Sequence, residues 1–232
     1  VRATLAGAVG GLLLPAGCSA VKQAADAARA GSSQTRLGIP GPFPGRVIEV
    51  RHPGSIQNRK ISRDAVRDMV ARGMKDLAGA SDATEAWRRF FERGDVVGIK
   101  VNPVGHPHAV SSHELVHEVV AGLRSAGVAP DDIVVFDRYR AQFLKAGYLK
   151  NLPEGVRWDA SCEDYDNAQI DIEGYDPDVY REMELVAHGH HDPSDPRTRR
   201  SHLSLIVSRK VQKIVNLPVL KDHGSAGVTL AL

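Results

Sequence analysis

Runs of Val, Ile and Leu alternate along this chain with stretches in which apolar residues recur every three or four positions. Val47–Arg51 has the character of a first strand. In the stretch 62–78, apolar Val66, Met69, Val70, Met74 and Leu77 fall on one helical face, and Ser62 is placed to cap its start. A second helical stretch, 83–92, leads into the strand Val96–Val101. A helix from about Ser112 to Ala126 follows, stopped by Gly127, then a short buried strand Ile133–Phe136 and a short helix 141–148. His202–Val207 and Val211–Asn216 are the last two strands. Strands that alternate with helices predict an α/β fold, a mostly parallel sheet joined by crossover helices. The segment 153–200 is dominated by acidic and turn-forming residues and reads as an insertion over the sheet edge, its structure left open.

The first 45 residues have a different texture. Residues 5–14 form an apolar run of small residues, the length of an export-signal core and too short to span a bilayer as a mature helix. Pro15-Ala-Gly-Cys-Ser-Ala20 follows, which suits either cleavage after Ala20 or cleavage before Cys18 with lipid attached to that thiol. Residues 1–20 are thus a leader, 21–45 a Pro/Gly/Ser-rich linker, and 46–232 a single α/β domain. The expected location is extracytoplasmic, either periplasmic or anchored through the N-terminal lipid.

Composition narrows the function classes. The 232 residues are 42% hydrophobic and 25% charged, the make-up of an ordinary globular protein. A net charge of +2 and 5% aromatic content give no support for nucleic-acid binding, which needs a basic face and stacking platforms. The dense basic run Arg197–Arg200 follows Asp192–Pro196 and reads as a solvated loop. With only Cys18 and Cys162 present, an iron–sulfur cluster is not expected, and loss or lipidation of Cys18 leaves Cys162 without a partner.

Two strand ends carry polar chemistry. Asp95–His106 runs from buried Val and Ile into Lys100, Asn102 and His106; Val211–Leu232 runs through Asn216 and Pro218 into Lys221-Asp222-His223-Gly224-Ser225. Strand C-termini are where open α/β sheets gather ligands. Lys100 offers a point charge to a carboxylate or phosphate and Asn102 a donor and an acceptor, or else Lys100 reaches solvent and Asn102-Pro103 is turn chemistry. Asp137, after Ile133–Phe136, either orients a lysine or hydroxyl or caps the next helix; Arg138 binds an anion or pairs with Asp137. In the Gly-flexible loop at 221–225, His223 suits proton transfer near neutral pH and Lys221 charge stabilisation. Asn216 stands beside them as a ligand-binding candidate. Ser225 lacks a nucleophile elbow, and there is no phosphate-binding glycine loop.

His113-Glu-Leu-Val-His117 is a literal His-Glu-x-x-His. On a helix both imidazoles share a face and could hold zinc while Glu114 activates water, the basis of an alternative reading as a zinc-dependent hydrolase. The helix must also pack through Leu115, Val116, Val119, Val120 and Leu123, and no third ligand is marked. His106 and His108 lie near enough in sequence to converge on it; His188-Gly-His-His-Asp192 suits adventitious metal binding.

The two strand-end segments, with Ile133-Val-Val-Phe-Asp-Arg138, resemble the uncharacterised bacterial and archaeal family catalogued as domain of unknown function 362, from about Val96 to the last residue. The resemblance matches Lys100, Lys221 and His223 by position and implies no settled reaction. It also implies that the sheet continues past Leu232, so that this chain is a fragment. The reading that results is a small anionic ligand, bound or transformed by Lys100, Asn102, Asp137, Lys221 and His223; a tethered binding protein without catalysis is a further alternative.

Overall fold

The computed structural model describes residues 41–164, 173–182, 194, 199–224 and 227–229. The chain divides after Pro42, and the architecture below is that of the unit 43–232. Cys18, the leader, most of the linker, the His188–His191 group and Ser225 lie outside the described residues.

A four-stranded parallel sheet forms the centre. Its strands are β3 (Val97–Lys100), β4 (Ile133–Tyr139), β5 (Arg157–Cys162) and β8 (Lys213–Asn216), in the order β5-β4-β3-β8. The register sets Lys100 beside Phe136 on one side and Asn216 on the other. Three helices precede or connect these strands: α1 (Arg63–Ala78), α2 (Ala83–Arg88) and α3 (His113–Ser125); a shorter one, α4 (Arg140–Lys145), follows β4. Their ends follow local chemistry. Ser62 accepts from the Ala65 amide and Ser112 from that of Leu115, and Gly127 takes φ +104°, a conformation that ends the helical stretch without a Cβ penalty.

Alternation along the strands divides the apolar residues between two faces. Val97, Ile99, Ile133 and Val135 face the helices and pack with Val116, Val119, Val120 and Leu123 of α3, with Trp87, Phe143 and Tyr148 completing the core. Trp87 lies so close to Gly122 that a Cβ there would stand 2.1 Å from its ring, which makes glycine the residue that lets the two elements meet. On the other face Val134 and Phe136 form a smaller cluster with Ile206, held in a π-helical turn, Ile206–Lys210.

Several elements differ from the sequence reading. Val47–Arg51 is not a strand: among the described residues none pairs with it, and Val47 is 89% exposed. The first paired residues are instead β1 (Ile56–Gln57) and β2 (Lys60–Ile61), joined by Asn58 and Arg59, both at positive φ as a tight hairpin turn requires. Part of the segment 153–200 is no insertion, since Arg157–Cys162 is the outer strand of the sheet, anchored where Trp158 stacks on Phe143 at 5.3 Å. β6 (Tyr175–Glu182) pairs antiparallel with β7 (Arg200–Ser204), so the strand expected over His202–Val207 starts earlier and ends in the π-helical turn. Arg209 of that turn grips buried Asp176 through two bonds of 2.8 Å, which holds the Asp176 carboxyl well below the usual carboxylate range. Lys221–His223 is not a loop but β9, paired with β10 (Gly227–Thr229).

Candidate functional site at the C-terminal edge of the sheet

The strand order places the site. β4 and β5 extend the sheet outward from β3 on one side while β8 joins on the other, which opens a crevice at the carboxyl ends of β3 and β8. Lys100 ends β3, and its ammonium donates to Asp137 Oδ1 at 2.5 Å and to the Val101 carbonyl at 2.6 Å. β4 runs three residues further than its apolar run suggests, so Asp137 lies within the strand, its side chain 5% exposed. Asp137 is therefore not the cap of α4, whose N-cap residue, Tyr139, makes no side-chain cap bond. Its carboxylate pairs with Lys100, a partner the parallel register brings across from the neighbouring strand.

The loop from β3 to α3 is built around two residues that sequence reasoning passed over. Ser111 accepts from the Asn102 amide at 2.8 Å and donates to the Leu217 carbonyl at 2.5 Å, tying the ends of β3 and β8 together. The buried Tyr148 hydroxyl donates to the Ser111 carbonyl at 2.7 Å, and burial pushes its pKa far above the ordinary phenol value. Neither residue stands in a recognisable motif; Ser111 next to the capping Ser112 looks like part of a turn. A small hydroxyl between a strand end and a helix cap, with a tyrosine following an apolar stretch, is the only signal that could have raised them.

Lys221, from β9, reaches into this loop. Its ammonium donates to Asn102 Oδ1 at 3.1 Å and to the Val104 carbonyl, and lies 3.5 Å from that of Ala109. Removal from water pulls its pKa below the ordinary lysine value; the Asp137 and Asp222 carboxylates oppose that shift and the Lys100 ammonium adds to it. Two ammonium groups thus share the field of Asp137. Carbonyl dipoles stabilise Lys221 without cancelling its charge; Lys100, Lys221 and buried Asp137 carry one net positive charge, and the further carboxylate near Lys221, Asp222, is exposed and screened by water.

The remaining candidates lie at the rim or elsewhere. Asn216, in register with Lys100, is exposed at the end of β8, and exposed His223 shares with Lys221 the alternation of β9. Arg138 is not paired with Asp137: strand alternation turns it to the opposite face, where its Nε donates to the Tyr175 hydroxyl at 2.7 Å. Burial raises Tyr175 to about 12. In the His-Glu-x-x-His segment, His117 Nε2 lies 2.9 Å from the Asn151 carbonyl, where it must carry the proton, leaving Nδ1 alone for any metal. His113 packs edge-on against Tyr148, with ring centroids 5.0 Å apart, and burial lowers its pKa. Among the described residues no three His, Cys, Asp or Glu side chains gather as a metal ion requires, and the donors present around His113, Glu114 and His117 do not fit a zinc centre.

The class that fold and site define is an α/β protein with a parallel sheet and a lysine-rich polar site at the strand carboxyl ends. Compared with protein-family models, curated proteins and solved structures, the chain matches none.

Proposed function

We propose that the protein binds a small anionic ligand, a carboxylate or a phosphate, in the crevice at the carboxyl ends of β3 and β8. The observation that carries the reading is the excess of charge in the buried part of the group: Lys100 and Lys221 face one buried carboxylate, Asp137, while Asp222 beside Lys221 is exposed to water. An anion completes the balance and gains charge-assisted hydrogen bonds. Lys100 is the ligand-facing cation, its side chain 34% exposed, and Asp137 orients it. Asn102, through its own amide group, and Asn216 supply neutral hydrogen bonds at the rim. If the bound anion is transformed, His223 is the group suited to move a proton, and the two lysines hold the negative charge that develops.

Membership of the family catalogued as domain of unknown function 362, and an exported protein tethered through lipid on Cys18, belong to the same proposal. The strand-end segments support the first and Gly17-Cys18 after the apolar run supports the second. Intact-mass analysis of the natural protein reads the lipid directly: an unmodified Cys18 retained in the mature chain removes the tether.

Calorimetric titration with malonate and with inorganic phosphate tests the site. Lys100→Ala and Lys221→Ala each weaken binding by about 10- to 100-fold, the loss of one charge-assisted hydrogen bond. Wild-type affinity in both variants, with their melts still cooperative, overturns the reading.

A further inference from the structure

Beside the lysine pair lies a cleft of about 150 Å³ that the sequence did not announce. One wall is Pro103, Val104, Gly105 and His106 of the loop after β3; the other is Gln142 and Lys145 of α4. We infer that this cleft receives the anion proposed above, that Lys145 and His106 contact it directly, and that the ligand is a compact hydroxycarboxylate. The inference rests on the anion-binding reading and adds to it the position and chemical class of the ligand.

Three observations converge on it. The lining holds two basic side chains and no acidic one, and no carboxylate pairs with Lys145 among the described residues, whereas Lys100, Lys210 and Lys213 each meet an aspartate. An unpaired ammonium opposite an imidazole is an attractive place for a carboxylate. The second observation is Gln142 Oε1, a buried acceptor with no hydrogen-bond partner, on a residue that lines the same cleft. A buried amide oxygen left unpaired costs free energy that a donor on the ligand would recover, and a hydroxyl is the smallest group that supplies one. Oε1 itself is closed to solvent, so binding includes a turn of the Gln142 amide toward the ligand.

The third observation concerns the wall. Lys221 donates to the Val104 carbonyl and to Asn102 Oδ1, so the lysine that adds charge to the crevice also holds one side of the cleft in place. Gly105 leaves no room for a side chain on that side, since a Cβ would stand 2.8 Å from the Ala109 carbonyl and 3.3 Å from Lys221 Nζ. Lys221 is a positioning residue for the cleft, and Lys145 is the ammonium of its lining that meets the ligand.

The test is titration of the full chain with hydroxymalonate and with malonate, followed by calorimetry and by amide NMR shifts. The expected result is that shifts concentrate on Val104, Gly105, His106, Gln142 and Lys145. Lys145→Gln weakens hydroxymalonate binding about tenfold and Lys145→Arg retains most of it. Wild type prefers hydroxymalonate to malonate, and Gln142→Leu erases the preference. Lys145 is exposed, so its variants keep the fold. Wild-type affinity in Lys145→Gln with loss in Lys100→Ala overturns the cleft and leaves the anion site at the strand ends. Equal affinity of wild type for the two acids overturns the hydroxycarboxylate assignment. Binding of neither acid overturns this inference; binding of neither acid nor inorganic phosphate, or loss in none of these variants, overturns the anion-binding reading with it.

Discussion

The two ends of the parallel sheet carry the same pair of residues and use it differently. At the amino end, Lys213 of β8 donates to Asp95 at 2.7 Å and to the Phe90 carbonyl at 2.9 Å, with side chains 17% and 10% exposed. One ammonium meets one carboxylate, and both are withdrawn from water. At the carboxyl end, Lys100 meets Asp137 at 2.5 Å, but a second ammonium, Lys221, enters the same field from β9. The amino-end pair closes its own account of charge and hydrogen bonds. The carboxyl-end group cannot, and a cleft with two further basic side chains lies alongside it. Identical chemistry thus forms a closed rivet at one end and, at the other, the group on which the proposed anion site rests.

The largest effect expected from breaking this contrast is at the balanced end. Asp95→Ala strands Lys213 without its anion and lowers stability by about 3–5 kcal/mol, measured by urea unfolding. Malonate affinity of the folded variant stays at the wild-type value, and a weaker affinity would place Asp95 in the site's electrostatics after all. Asp137→Asn at the other end keeps an acceptor for Lys100 and removes only the charge. It costs less stability, about 1–3 kcal/mol, and tightens malonate binding by roughly three- to tenfold because the anion no longer competes with a carboxylate. Weakened binding in a stably folded Asp137→Asn would show that the carboxylate's orienting role outweighs its charge.

A smaller effect separates the ends by pH. His113, beside Tyr148 near the carboxyl end, has its pKa lowered by burial, whereas the unfolded chain protonates it near the ordinary value of about 6.5. Below that value the unfolded state binds the additional proton, so stability falls as pH drops from about 7 to 5. His113→Gln removes that part of the slope, which urea midpoints at the two pH values detect; an unchanged slope would assign it to other groups. The smallest effect is that of Lys145→Gln on stability, within about 0.5 kcal/mol, since an exposed side chain without a paired carboxylate contributes little to the fold.

Much of this architecture was legible. The spacing of Val66, Met69, Val70, Met74 and Leu77 and the caps at Ser62 and Ser112 locate α1 and α3 because helix ends are set by local hydrogen-bonding chemistry. Apolar runs mark β3, β4 and β8, and the strand-end rule singles out Lys100, Asn102 and Lys221, of which Lys221 and Asn102 are hydrogen-bonded to each other and Lys100 to Asp137. β5 was hidden because an edge strand with Arg157 and Asp159 on one face has no continuous apolar run. Val47–Arg51 misled for the opposite reason: it has a strand's composition and no pairing partner among the described residues.

What the sequence by itself determined is the list of elements and the identity of the groups at their ends, since periodicity, caps and turns act over a few residues. Only the tertiary structure decided which of those groups belong together. The Ser111–Tyr148 bond spans 37 positions, that from Lys221 to Asn102 spans 119, and Asp137 became the partner of Lys100 through the register of two neighbouring strands. Charge balance is a property of such distant pairings. A chain read in order shows two lysines and an aspartate; the tertiary structure decides that Lys100 is answered by the Asp137 carboxylate and Lys221 by carbonyl oxygens.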